Sequence, residues 1–158
     1  MKNIRLILVG ELVLFIIVCL FIIMVCGGGI PAIGFFLDIP SLLFIIMILI
    51  PGLLIMGEWK DFVKSFSVGI RHYSLLELKN IVGAVSAAQK LTVFAALFAI
   101  ITSGVIILAT LDDLSSMGPN LAVCFLSGYY AVIIEYFLLP LKLNAEKKMN
   151  EEMDFGDE

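Results

Sequence analysis

"LTVFAALFAIITSGVIILATLDDLSSMGPNLAVCFLSGYYAVIIEYFLLP", residues 91–140, decides what kind of molecule this chain is. Two apolar runs, 91–110 and 121–140, flank a short polar stretch whose only charges are acids. A helix rising about 1.5 Å per residue needs about 20 residues to cross a hydrocarbon core of about 30 Å. Each run meets that length unaided. Working outward, "LVLFIIVCLFIIMVC" (12–26) and "LLFIIMILIPGLLIM" (42–56) meet it once their flanks are added. Of the 158 residues, 61% are hydrophobic and 15% charged, with a mean hydropathy of +1.12; an ordinary soluble domain is about 25% charged. The fold class expected is an all-α integral membrane protein. Its four transmembrane helices lie near 5–26, 39–57, 89–110 and 119–140 within one domain, 1–145. A cytoplasmic loop covers 58–88, and the charged tail 146–158 is expected to be disordered.

Lys2 and Arg5 ahead of an apolar run also fit a signal peptide. The run is longer than the usual core of about 7–15 residues, Glu11 interrupts it, and no small-x-small cleavage site follows closely. A retained span is the better reading. Cys19, Cys26 and Cys124 fall in or at the end of spans, where they read as small apolar packing residues. No metal-ligand spacing exists, no cofactor is implied, and the acidic balance offers no nucleic-acid surface. His72 alone offers no converging acid, base or nucleophile, so an enzyme is not expected.

The polar segments fall into two sets. All ten Lys and Arg lie in one: the N-terminus, the loop 58–90 and the segment from 141 onward. The other, 27–40 and 111–118, holds only Asp38, Asp112 and Asp113 as charges. Basic residues near span ends stay on the cytoplasmic side, and acids have little influence. Both termini are therefore expected inside, and Asp112 and Asp113 belong to a short outer turn. That turn makes spans three and four antiparallel neighbours. Its acids solvate the connection; attracting cations is the alternative. Gly118 and Pro119 suit a helix entry.

Within the loop, Trp59, Phe62, Val63, Phe66 and Ile70 recur at helical spacing, which predicts an amphipathic helix along the inner interface. Ser74 and Glu77 have capping-box form. They predict one long helix from about 75 to 110 whose first turns stand in the cytoplasm. Basic residues after span four are placed to meet lipid headgroups.

Spans three and four each carry a stripe of small or weakly polar residues. On span three these are Thr92, Ala95, Ala96, Ala99, Thr102 and Ser103; on span four, Asn120, Cys124, Ser127, Gly128, Ala131 and Glu135. Such stripes allow close helix packing, or they line a lumen or a guest helix. Glu135 bears most on this choice. An ionisable group inside a span costs about 2.5–3.5 kcal/mol on insertion scales and faces protein or water. It is open to protonation, to pairing with Lys142, or to wetting in a lumen. Pro51 and Gly52 predict a bend in span two.

"FFLDIPSLLFII" (35–46), "EWKDFVKSF" (58–66) and "TLDDLSSMGPNLAVCFLSGYYAVIIEYFLLPLK" (110–142) resemble the MotA, TolQ and ExbB proton-channel family, MotA most closely. The resemblance covers about residues 27 to 143. It implies a pentameric homo-oligomer in a bacterial inner membrane, enclosing helices of a single-span MotB-, ExbD- or TolR-like partner. Protons or sodium ions would then drive a motor or energy-transducing complex. It further implies that Thr92, Ala95, Ala99, Thr102, Ser103, Asn120, Cys124, Ser127, Ala131 and Glu135 line the ion path or the partner helix. Pro140 matches the proline at the inner end of the last span. Ser127-Gly128 stands where MotA-like sequences often have Thr-Thr. The proline expected early in span three falls near Val93, and the large cytoplasmic domain of flagellar stators is missing. The alternative function is a non-conducting scaffold that clasps a partner helix.

Overall fold

The computed structural model describes residues 4–25, 36, 38–112 and 114–156. Five helices follow in order: α1 (Ile4–Val25), α2 (Ile39–Ile55), α3 (Trp59–Ser65), α4 (Leu75–Ala109) and α5 (Leu114–Gly156). The described residues contain no β-strand. α4 and α5 are long and apolar enough to cross a membrane, and α2 with α3 makes a third such segment if the bent pair is counted as one. α1 is shorter in its apolar part, Leu6–Phe21.

The centre of the fold is the antiparallel hairpin of α4 and α5. α4 starts where the sequence predicts. The Ser74 hydroxyl accepts from the Glu77 N–H, and the Glu77 carboxylate accepts from the Ser74 N–H, closing a capping box. The hairpin register can be read from its clusters. Leu78 and Ile81 share one with Ala145. Val85 and Ala88 share the next with Leu138 and Leu141, and Ala95 sits with Tyr130.

The packing rule inverts partway along this hairpin. Below Lys90, Leu78, Ile81 and Val85 are buried while Lys79 and Asn80 are exposed, as in a helix pair bathed in water. Beyond it, Thr92, Ala95, Ala99 and Ser103 are buried while Phe94, Leu97, Ile101, Val105 and Leu108 are exposed. Small residues inside let two helix backbones approach closely, and bulky apolar residues outside match a hydrocarbon solvent. α1 follows the same outward pattern, with Leu6, Val9, Leu12, Val13, Ile16, Ile17, Leu20 and Phe21 exposed.

α2 lies against both hairpin helices. Phe44 stacks on Phe98 with ring centroids 5.9 Å apart. A Cβ at Gly52 would sit 2.8 Å from a Leu91 methyl, so glycine permits the close crossing there. Asp38 caps α2 by accepting from the Ser41 N–H, 3.1 Å, and also from the Ser41 hydroxyl. The N-terminal end of α2 is tied across the chain: the Tyr130 hydroxyl accepts from the Asp38 N–H and donates to the Phe36 carbonyl, each at 2.7 Å. The C-terminal end closes in a Schellman turn. Gly57, at φ 75°, donates to Leu54, and Glu58 donates to Leu53. The chain leaves at 111° into α3.

α3 forms where the apolar spacing predicts a helix but ends at Ser65, so Phe66 and Ile70 fall in the turns that follow. Trp59 and Phe62 pack against the Leu53–Val85–Ala88 cluster, and Val63 and Phe66 are exposed. Lys64 pairs with Asp61 at 2.9 Å and reaches Glu77 at 3.5 Å, linking α3 to the foot of α4. α1 rests on α5 through Phe15, which contacts the rings of Tyr136 and Phe137.

Two expectations differ from the structure. The segment 146–156 is helical, a continuation of α5. Lys148 pairs with Glu151 and Glu152 at helical spacing, and Met149 packs on the Leu78–Ile81 cluster, so the charged composition stabilises helix here. α5 also begins at Leu114, ahead of Gly118 and Pro119, which lie inside its first turns.

Candidate functional site

The small residues singled out in the sequence meet each other inside the chain. Thr92, Ala95, Ala99 and Ser103 of α4 and Ser127 and Ala131 of α5 are all buried in the single chain. Their hydroxyls are largely engaged locally: Thr92 donates to Ala88 at 2.9 Å and Ser127 to Val123 at 2.8 Å, both carbonyls one turn back. Within one copy these residues serve helix packing. Thr102 is exposed but also donates to its own helix, at Phe98, 2.8 Å. Asn120 and Cys124 are half-buried, and Pro140 is buried within α5. Asp112 is exposed in the turn; Asp113 and Cys26 lie outside the described residues.

Glu135 is placed differently. It faces an open groove of about 410 Å³ whose other walls are Gln89, Lys90, Val93, Phe94 and Leu97, all from α4. Neither α1 nor α2 contributes to this lining. Gln89 stands beside the carboxyl group in this lining, and the Lys142 charge acts on it from further along α5. One carboxyl oxygen is buried without any hydrogen-bond partner. Glu11 shares this condition in a smaller cleft of about 260 Å³ formed by α1 alone, with Leu6, Ile7, Gly10 and Leu14. An unsatisfied buried acceptor costs about 1–3 kcal/mol, more if charged. Such a group is stable when protonated, or when something outside the chain completes it.

Outside the apolar region one charged cluster joins α3 to α4, with Lys64 between Asp61 and Glu77. The Asp61 hydrogen bond, first, and the Glu77 charge hold the Lys64 ammonium above its ordinary value. The Ser74 backbone N–H, then its hydroxyl and Lys64, hold Glu77 below the usual carboxylate range.

Gln89, Lys90 and Leu97 escaped the sequence reading. Their signal lay in the hairpin itself, because counting back equally from the 110–113 turn sets residues near 90 opposite Glu135. Among the described residues, no group of three or more His, Cys, Asp or Glu is placed to hold a metal ion. No family model, curated protein or solved structure matches the chain.

Proposed function

We propose that this chain is the ring-forming subunit of an ion-driven energy-transducing complex in a membrane, of the MotA, TolQ and ExbB kind. In this reading all four long helices span the bilayer, α1 included, with both termini on the cytoplasmic side. Its place is the bacterial inner membrane. The observation that carries it is Glu135: a carboxyl group on the uncovered apolar face of the hairpin, with one oxygen left unmatched by its own chain. An ionisable group inside a span calls for a partner or a water path. A second copy or the helix of a single-span partner, seated against Gln89, Val93 and Leu97, supplies that surrounding. The exclusive placement of Lys and Arg on one side supports the orientation. The open side of the groove is then closed by neighbouring copies, five in all by the resemblance.

A second reading keeps the assembly and removes the current. Burial of Thr92 and Ser127 between α4 and α5 favours it, since hydroxyls bonded to their own backbone carbonyls offer no ion path. The scaffold then clasps a partner helix through the Glu135 groove.

Two measurements separate these. The mass of the detergent-extracted particle is expected at about five times 17.4 kDa of protein; a monomer, with or without a single-span partner, refutes both readings. Proton or sodium flux into proteoliposomes holding the complex is expected, and Glu135→Gln is expected to abolish it. An assembled ring without flux leaves the scaffold.

A further inference from the structure

We propose that a second cleft, on the other flank of the Lys90–Phe94 ridge, binds an anionic phospholipid of the inner leaflet. The inference rests on the inner-side placement of Lys90 given above. The cleft lies between the end of α2 and α4, has a volume of about 500 Å³, and is lined by Met56, Gly83, Ser86, Lys90, Leu91 and Phe94, among others. Ligand clefts commonly run about 300–1,000 Å³.

Its chemistry is graded along the helix. Ser86 and Lys90 are one turn apart on one face of α4. Below them Gly83 adds no side chain, and a Cβ there would meet nothing within 4 Å. Above them Leu91 and Phe94 begin the apolar run that carries no Lys, Arg, Asp or Glu through Thr110. Among the described residues Lys90 makes no ion pair and the Ser86 hydroxyl no hydrogen bond; Lys60, Arg71, Lys79 and Lys147 are unpaired too, but none of them lines this cleft. An unpaired cation at the level where the hairpin inverts its packing stands where phosphates lie, and basic pockets between spans on the cytoplasmic side take anionic headgroups. Lys90 and Ser86 hold the phosphate. Leu91, Phe94 and Met56 take the first part of an acyl chain, a contact that a free phosphate would not make.

Trp59 is the only tryptophan, and it packs in the cluster that contains Leu91. The test reconstitutes the full chain in phosphatidylcholine vesicles containing a minority of phosphatidylglycerol, with bromine on the acyl chains of one lipid or the other. Brominated phosphatidylglycerol is expected to quench Trp59 as if enriched about fivefold over its bulk fraction, equivalent to about 1 kcal/mol for one basic residue. Lys90→Gln removes the enrichment; Lys79→Gln, an exposed cation outside the cleft, keeps it. Equal quenching by the two lipids overturns the proposal, as does an enrichment that survives Lys90→Gln. Weak quenching by both shows a second copy over the cleft and overturns it too. The orientation is checked separately: in a chain whose Cys19, Cys26 and Cys124 are replaced by Ser, Lys79→Cys labelled by an impermeant thiol reagent from the outer side of intact cells refutes the inner placement, whatever the lipids show.

Discussion

Tyr130→Phe removes one oxygen and leaves the ring. That oxygen accepts from the Asp38 N–H and donates to the Phe36 carbonyl, both at 2.7 Å, while the ring stays packed with Ile45 and Ala95. A hydrogen bond contributes about 0.5–1.5 kcal/mol net, and bonds between spanning helices average about 0.6 kcal/mol. Two such bonds, with the Asp38 N–H left part-buried and unmatched, come to about 1.5–3 kcal/mol. Asp38→Ala loses the α2 cap instead, worth about 1 kcal/mol. Tyr130→Phe is therefore expected to be the more damaging of the two, although it is the smaller chemical change. Unfolding by sodium dodecyl sulfate in mixed micelles, followed by Trp59 fluorescence and helical circular dichroism, reads both. A loss below about 0.5 kcal/mol for Tyr130→Phe, or the reverse order, refutes the view that this hydroxyl anchors the N-terminal end of α2.

Gly57→Ala forces a Cβ onto a φ of 75° and is expected to destabilise by about 1–2 kcal/mol in the same titration; no change would mean the Schellman turn is not held. Ala95→Leu overpacks the hairpin where α2, α4 and α5 meet and should cost about 1–3 kcal/mol, whereas the exposed Ile101→Leu should be neutral in the same assay. Glu77 is held below its ordinary pKa, so its contribution is present above the unfolded value and disappears as pH falls through the folded one. The stability gap between wild type and Glu77→Gln is thus expected at neutral pH and should close in acid; a gap that widens in acid contradicts the capping box.

Much of the architecture could be read from residue order. The runs on either side of Asp112 and Asp113 imply the hairpin, Ser74 with Glu77 implies the start of α4, and Trp59 to Phe66 implies α3. Side-chain periodicity also identifies the small-residue faces. It cannot say what they face, because a stripe of Ala, Ser and Thr suits a neighbouring helix in the same chain as well as a lumen. Within one copy they face a neighbouring helix: Ser127 and Thr92 are both 0% exposed. The tail misled through composition, since Lys148 and its two glutamates look like disorder until their spacing is set on a helix. The Tyr130–Asp38 link was invisible, as two residues 92 apart in the chain leave no periodic trace. Glu135 was legible as an anomaly; its groove required the register of the hairpin.

α4 runs 35 residues from Leu75 to Ala109 with no proline, about 52 Å at 1.5 Å per residue. Roughly 22 Å of it projects below Lys90, braced along its length by α5. A strut of this kind has no joint at the water boundary. If its lipid-embedded part leans by 10 degrees about Lys90, the capped foot at Ser74 swings by about 4 Å, carrying α3 with it through the Lys64–Glu77 pair. Any tilt imposed on the apolar part of the hairpin is in this way delivered to its polar end as a sideways stroke, without a change in secondary structure.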